Sequence, residues 1–252
     1  LFTATTANEN VAVGNHSNYS CTSGSRNVGV GNSSLYAVTS GTRNVAMGYE
    51  AMQALTTGIR NQAIGVHAMY AGNGSYNVAI GDQALYNSAA SNTVAIGYKA
   101  LLANTTGGNN TAIGYETLKT ITTGTNNVAI GYRALAFGGI NSDNDVAIGY
   151  EALMNNNNDR NTAVGALAMK ENTGGADNVA VGYAALDANT TGDDTTAVGK
   201  NALTAQTTGS ANTAVGYEAG DTLTTGNNCA CVGSNADVSA SGAVHQNVFG
   251  NK

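Results

Sequence analysis

Proline and tryptophan are missing altogether from the 252 residues, and charged side chains make up only 10% of them. Gly, Ala, Asn and Thr dominate instead, which argues against the one or two ordinary globular domains that the length would allow. Low charge combined with 42% hydrophobic residues also argues against disorder, which needs the opposite balance. There is no basic excess: the net charge of −6 gives no electrostatic reason to expect nucleic acid or an anionic membrane as a partner. No apolar run approaches the ~20 residues that span a bilayer, so membrane insertion is not expected. Cysteine is scarce. Cys229 and Cys231 stand two apart, point the same way on a strand and are poorly placed to bridge each other; Cys21 lies many residues away. All three read as free thiols buried like small hydrophobes, which leaves the compartment open. No leader is recognisable and the chain starts at Leu1, which reads as a fragment or a processed product.

What the chain does have is one phrase, NVAIGYxAL, often preceded by TTGxxN. Its anchoring glycines are Gly14, Gly31, Gly48, Gly65, Gly81, Gly97, Gly114, Gly131, Gly149, Gly165, Gly182, Gly199, Gly216, Gly233 and Gly250. Successive anchors are 16 to 18 residues apart, most often 17, a register that chance does not keep.

Each column of the repeat has its own chemistry. Directly before the glycine stands a bulky apolar residue: Val13, Val30, Ile64, Ile80, Ile96, Ile113, Ile130, Ile148, Val181. These are expected in the core, together with the Leu or Met four after the glycine, such as Leu85, Leu101 and Leu135. Two before it the residue is almost always Ala (Ala12, Ala46, Ala79, Ala129), with Gly29 and Cys231 of similar size, so that column is pressed against something. Three before it Val and Thr alternate, chemistry suited to a pleated surface. Four before it Asn recurs (Asn27, Asn44, Asn77, Asn127), expected to bond along the stack and to the turn backbone. The anchors, for example Gly31, Gly48, Gly114, Gly131 and Gly182, are turn glycines. A second set seven residues earlier (Gly24, Gly41, Gly58, Gly107, Gly124, Gly192, Gly209, Gly226) is expected to supply positive φ. Tyr follows the anchor at Tyr49, Tyr98, Tyr115, Tyr132, Tyr150, Tyr183 and Tyr217, and a variable, often charged position comes next, facing water.

Seventeen residues suit two short strands and two turns, one coil of a narrow parallel β-roll, and are too few for a helix–turn–helix unit or a propeller blade. A strand of this length cannot stand alone and must bond to its copies above and below. The expected fold is therefore all-β, a parallel β-solenoid of about 15 coils over residues 1–252. Residues 1–20 and 234–252 form degenerate terminal coils: Asn18 and Asp237 replace the Leu there, as Gly220 already does one coil before Asp237, and the last copy, Gln246–Gly250, reads one residue out of step. So thin a rod buries little apolar surface, and the Ala columns allow close approach, which points to a homo-oligomer with a parallel trimer favoured. The departures from consensus at Phe137–Asp145 and Asn155–Asn161 are expected to protrude as recognition loops.

With these columns in hand, the TTGxxNVAIGYxAL array resembles the repeats of phage tail-fibre and related surface-fibre proteins, over roughly Asn10 to Gly250. The shorter N-x-A-[IV]-G core is similar to the head repeats of trimeric autotransporter adhesins, whose period is shorter. The first resemblance implies a structural fibre segment that carries or spaces receptor-binding parts, on a virion or otherwise extracellular. The second implies a left-handed, trimeric β-roll. Tail-fibre proteins of this kind often carry a C-terminal self-cleaving chaperone domain; nothing resembling one is present, and its loss by cleavage fits a chain ending at Lys252.

Catalytic, metal and cofactor readings find little footing, and none is assigned. His16, His67 and His245 lie several repeats apart, so a straight rod cannot bring them together. The pairs Asp143/Asp145 and Asp193/Asp194 read as solvated turn residues, not as the two opposed carboxylates of a glycosidase, and the calcium nonapeptide and phosphate-loop motifs are absent. Thr pairs such as Thr56-Thr57, Thr105-Thr106 and Thr190-Thr191 read as turn chemistry, with ice binding a remote alternative. The tyrosines read first as packing residues at a subunit contact and second as stacking surface for a cell-surface glycan. The expected partners are further copies of this chain, with other fibre subunits or a glycan behind them; an extracellular adhesin is the alternative function, and an enzyme acting on surface polysaccharide a remote one.

Overall fold

The computed structural model describes residues 5–250. Among them the chain is an all-β parallel solenoid of three-residue strands, without a helix, turning once per roughly 17 residues. It comprises two compact units, residues 1–126 and 127–252. The first holds β1 (Val11–Val13), β2 (Val28–Val30), β3 (Val45–Met47), β4 (Gln62–Ile64), β5 (Val78–Ile80), β6 (Val94–Ile96) and β7 (Thr111–Ile113). Each of these pairs in parallel with the next in equivalent register, as Val11↔Val28 and Val13↔Val30, or Val94↔Thr111 and Ile96↔Ile113.

The second unit holds β8 (Val128–Ile130), β9 (Val146–Ile148), β10 (Thr162–Val164), β11 (Val179–Val181), β12 (Thr196–Val198), β13 (Thr213–Val215), β14 (Ala230–Val232) and β15 (Asn247–Phe249). Its parallel pairing is equally regular, and the last copy is not out of step: Asn247 pairs with Ala230 and Phe249 with Val232. Of the terminal coils, residues 1–4, 251 and 252 lie outside the described residues.

The interior is built from columns of equivalent residues. The alanine of each strand points inward and is fully buried (Ala46, Ala79, Ala129, Ala180), as are the Ala and the Leu or Met three and four residues after the anchor (Ala84 and Leu85, Ala100 and Leu101, Ala134 and Leu135). These columns meet across the coil. A Cβ added at Gly29, which stands in the alanine column, would run into Ser17, Asn18 and Ser34. Gly29 thus makes room where Asn18 replaces the usual Leu. At the other end of the array Asp237 in the same column turns aside, accepting from Thr222 Oγ1 at 2.6 Å and from the Val238 N–H at 2.9 Å.

The asparagine column is a ladder. Asn27 Oδ1 accepts the Asn44 N–H (3.0 Å), Asn44 Oδ1 accepts the Asn61 N–H (2.9 Å), and each Nδ2 donates to a glycine carbonyl of the next coil, Asn27 to Gly41 and Asn44 to Gly58, both at 2.8 Å. The amides of Asn27 and Asn44 are thereby satisfied from one coil to the next. The anchors Gly31, Gly48, Gly114, Gly131 and Gly182 have φ of 133–141°, a region closed to other residues. The second glycine set departs from expectation: Gly24, Gly41, Gly58, Gly107, Gly124, Gly192, Gly209 and Gly226 do not have positive φ. Crowding selects glycine there instead, since a Cβ at Gly41 would lie 2.7 Å from the Gly58 carbonyl oxygen, itself an acceptor for Asn44. Left-handed backbone falls on non-glycine residues, three in most coils: Arg43 (59°), Glu50 (54°) and Met52 (51°) are one such set. Each costs on the order of 1 kcal/mol. At Met52 and its equivalents that cost is tolerated because the side chain must fill the core.

Candidate functional site

The residues that remain for function are those the coil turns outward. In a three-residue strand side chains alternate, so an inward alanine forces both its neighbours out. The bulky residues before the anchors therefore do not form the core. Val13 (56% exposed), Ile64, Ile130 and Val181 are exposed, and Val30, Ile80, Ile96, Ile113 and Ile148 are half-buried on the outer face. Beside them run the β-branched residues three before the anchor, such as Val11, Val94, Thr162 and Val179. Each unit thus presents a sheet face with two columns of largely apolar and β-branched side chains.

The tyrosines after the anchors border this face and are exposed: Tyr49, Tyr98 and Tyr115 in the first unit; Tyr132, Tyr150, Tyr183 and Tyr217 in the second. Where two fall on successive coils their rings turn face to face. Tyr98 and Tyr115 lie 5.2 Å apart with 21° between planes, and Tyr132 and Tyr150 lie 5.3 Å apart with 7°. Cations top several rings: Lys99 Nζ over Tyr98 (4.9 Å), the Arg133 guanidinium over Tyr132 (5.2 Å) and Lys200 Nζ over Tyr217 (5.6 Å). The adjacent carboxylates of Glu50, Glu151 and Glu218 hold the phenols of Tyr49, Tyr150 and Tyr217 above their usual range.

A second aromatic column, five residues after the anchor, escapes a reading centred on the NVAIGY phrase. Tyr19 stacks on Tyr36 (5.1 Å, 2°) and Tyr70 on Tyr86 (5.0 Å, 5°). Histidines seal both pairs edge-on, His16 against Tyr19 and Tyr36, His67 against Tyr70 and Tyr86, and His67 Nε2 lies 3.1 Å from Glu50 Oε2. Their spacing of 16 or 17 residues within each pair was the available signal.

Other sequence candidates fall into structural places. The first threonine of a pair donates its hydroxyl one coil on, Thr105 to the Thr122 carbonyl (3.0 Å) and Thr190 to the Thr207 carbonyl (2.9 Å), whereas Thr56 donates to Asn73 Oδ1 (2.8 Å). All three cysteines are buried, and none forms a disulfide. Asn155–Asn161 does not protrude: Asn156 is fully buried, and Asn158 Nδ2 donates to the Gly174 carbonyl at 2.8 Å. In Phe137–Asp145 only part projects, with Phe137 and Ile140 exposed. Asp145 is no solvated turn residue. It occupies the asparagine ladder, fully buried, and its carboxyl is pushed up to about 8, by burial first, with the charges of Asp159 and Asp143 adding and the Asn161 N–H opposing. Asp193 and Asp194 are exposed.

No family model, curated protein or solved structure matches this chain. Its function has to be read from the geometry.

Proposed function

We propose that this chain is a structural fibre segment, the shaft of a phage tail fibre or a related surface fibre, that works by packing its outer strand face against further copies of itself. The carrying observation is the orientation of the strands: each turns its middle residue inward, in most coils an alanine, so the largely apolar and β-branched residues on either side of it stand outside in columns. A soluble monomer rarely leaves a contiguous apolar face of this kind uncovered. Exposed tyrosines along its border suit the margin of such a contact, apolar in the ring and polar at the hydroxyl. The resemblance of the repeat to fibre arrays favours three copies and a virion or extracellular setting. Sedimentation of the full chain at low micromolar concentration tests the reading. A trimer is expected, and Ile64→Lys together with Ile130→Lys, both outside the core, should weaken it more than about tenfold. A wild-type monomer would overturn the proposal.

One observation favours a second reading, glycan binding along the rod. Tyr183 is exposed and has Ala166 and Lys200, not tyrosine, at its position on the neighbouring coils, so its ring face is not spent on an aromatic stack. Binding on a glycan array that disappears with Tyr183→Ala would support that reading over a purely structural role.

A further inference from the structure

The chain contains a single Asn-Gly dipeptide, Asn73-Gly74, and its setting differs from that of any other turn. The coil between Gly65 and Gly81 has 16 residues, one fewer than usual. Elsewhere a backbone carbonyl of this turn accepts the N–H groups of the preceding coil: the Thr56 carbonyl takes those of Thr39, Ser40 and Gly41, along with the Thr39 hydroxyl. In the shortened coil the Asn73 side chain takes over. Its Oδ1 accepts the Thr56 N–H at 2.7 Å, the Thr56 hydroxyl at 2.8 Å and the Thr57 N–H at 3.1 Å. Asn73 is exposed, and the Gly74 N–H makes no hydrogen bond among the described residues.

Three convergent donors on a carbonyl oxygen are the arrangement that stabilises charge developing on that oxygen when its carbon is attacked. The attacking group is supplied by the next residue. We propose that Asn73 is a self-modification site, at which the protein's own turn converts the side-chain amide to a carboxylate. Gly74 N loses its proton to solvent base and bonds to Asn73 Cγ, and the negative charge passes to Oδ1 under the three donors. The Cγ–Nδ2 bond then breaks as Nδ2 takes up a proton, releasing ammonia and leaving a five-membered imide. Water adds to one imide carbonyl, and the ring opens. The same three donors polarise Cγ in the imide, so water attacks there, the N–Cγ bond breaks, Gly74 recovers its N–H, and the product is a normal aspartate rather than an isoaspartate. The new carboxylate keeps all three donors, now as charge-assisted bonds, which ties the short coil more firmly to its neighbour.

The test is timed incubation of the folded full-length chain at mildly alkaline pH, followed by peptide mapping with fragmentation that separates aspartate from isoaspartate. Conversion should concentrate at Asn73, give mainly aspartate, and slow about tenfold in Thr56→Val while Thr56→Ser retains the wild-type rate. The same chain in urea, where the donors are lost, should give mainly isoaspartate. The proposal is overturned if the folded chain stays unmodified while the unfolded chain reacts, if Thr56→Val reacts as fast as wild type, or if isoaspartate dominates in the folded chain. Circular dichroism of both variants establishes that the fold is retained.

Discussion

The two units share one backbone but fill the same inner position with opposite chemistry. Seven residues after the anchor, the first unit buries Cys21, Val38, Leu55 and Ile121, whereas the second buries Asn156, Asn172, Asn189 and Gln206 before it returns to an apolar residue at Leu223, all without solvent exposure. The amides are tolerated because they form an unbroken column. Asn172 Nδ2 donates to Asn156 Oδ1 (2.8 Å), Asn189 Nδ2 donates to Asn172 Oδ1 (3.0 Å), and both close onto their own turns at Gly175 and Gly192. Gln206 ends the run, donating to the Gly209 carbonyl (2.8 Å) and accepting from Asn212 (2.9 Å). Even in the first unit the polar exceptions come as neighbours, with Ser88 Oγ donating to Asn104 Oδ1 at 2.8 Å. The turn itself is indifferent to polarity. What it requires is agreement with its surroundings: each of these amides donates to a carbonyl of its own turn and finds a further polar side chain on an adjacent coil or within its own coil.

Exchanging the two chemistries should break that agreement most severely. Leu55→Asn loses a fully buried apolar side chain and places an amide beside Val38 with no partner column, at a cost of about 3–5 kcal/mol. Asn172→Leu removes the bonds to Asn156, Asn189 and Gly175 and should cost about 2–4 kcal/mol. Stacked coils open locally, so amide hydrogen exchange is the measurement, with faster exchange expected in the altered coil and its immediate neighbours. Uniform acceleration across the unit would contradict a nearest-neighbour rule.

Asp145 sharpens the comparison at the asparagine ladder, which runs as amides through Asn27, Asn44, Asn61 and Asn77 in the first unit. Its folded pKa of about 8 lies above the ordinary value of 3.8, so the folded state holds the proton more tightly than the unfolded chain. That stabilisation is complete below pH 4 and is lost as pH rises towards 8. Asp145→Asn should match wild type near pH 4 and exceed it by a few kcal/mol at pH 8, read from denaturation midpoints across that range. A constant difference at all pH values would refute the assignment. The smallest effect concerns the left-handed position occupied by Arg43 in the first unit and by Ala211 in the second, where φ is 59° and 56°. Ala211→Gly removes the strain at an exposed residue and should stabilise by about 0.5–1 kcal/mol, visible as a small rise in thermal midpoint.

Much of the fold was legible in the chain: the coil length, the parallel stacking and the bonding of Asn27 to Asn44 all follow from recurrent spacing and from side chains too small or too polar for any other place. Bulk alone suggests burial for Ile64 and Ile130, yet both face outward. Alternation across Ala63 and Ala129 was the stronger constraint, since only a methyl group fits against Leu and Met inside so narrow a coil. Gly41 and its equivalents look like turn formers in the sequence, whereas the carbonyl of the following coil excludes a side chain there. The tyrosine pairs Tyr19/Tyr36 and Tyr70/Tyr86 and the buried Asp145 were missed because each depends on a neighbour one coil away.

Primary structure alone settled the repeat, its register and the columns where only small residues are admitted, since these are countable along the chain and enforced by local sterics. Which face is inside, which amides meet, and how Asn73 replaces a backbone carbonyl were decided by the closure of each coil onto the next. Those are contacts between residues about 17 apart, and no local preference specifies them.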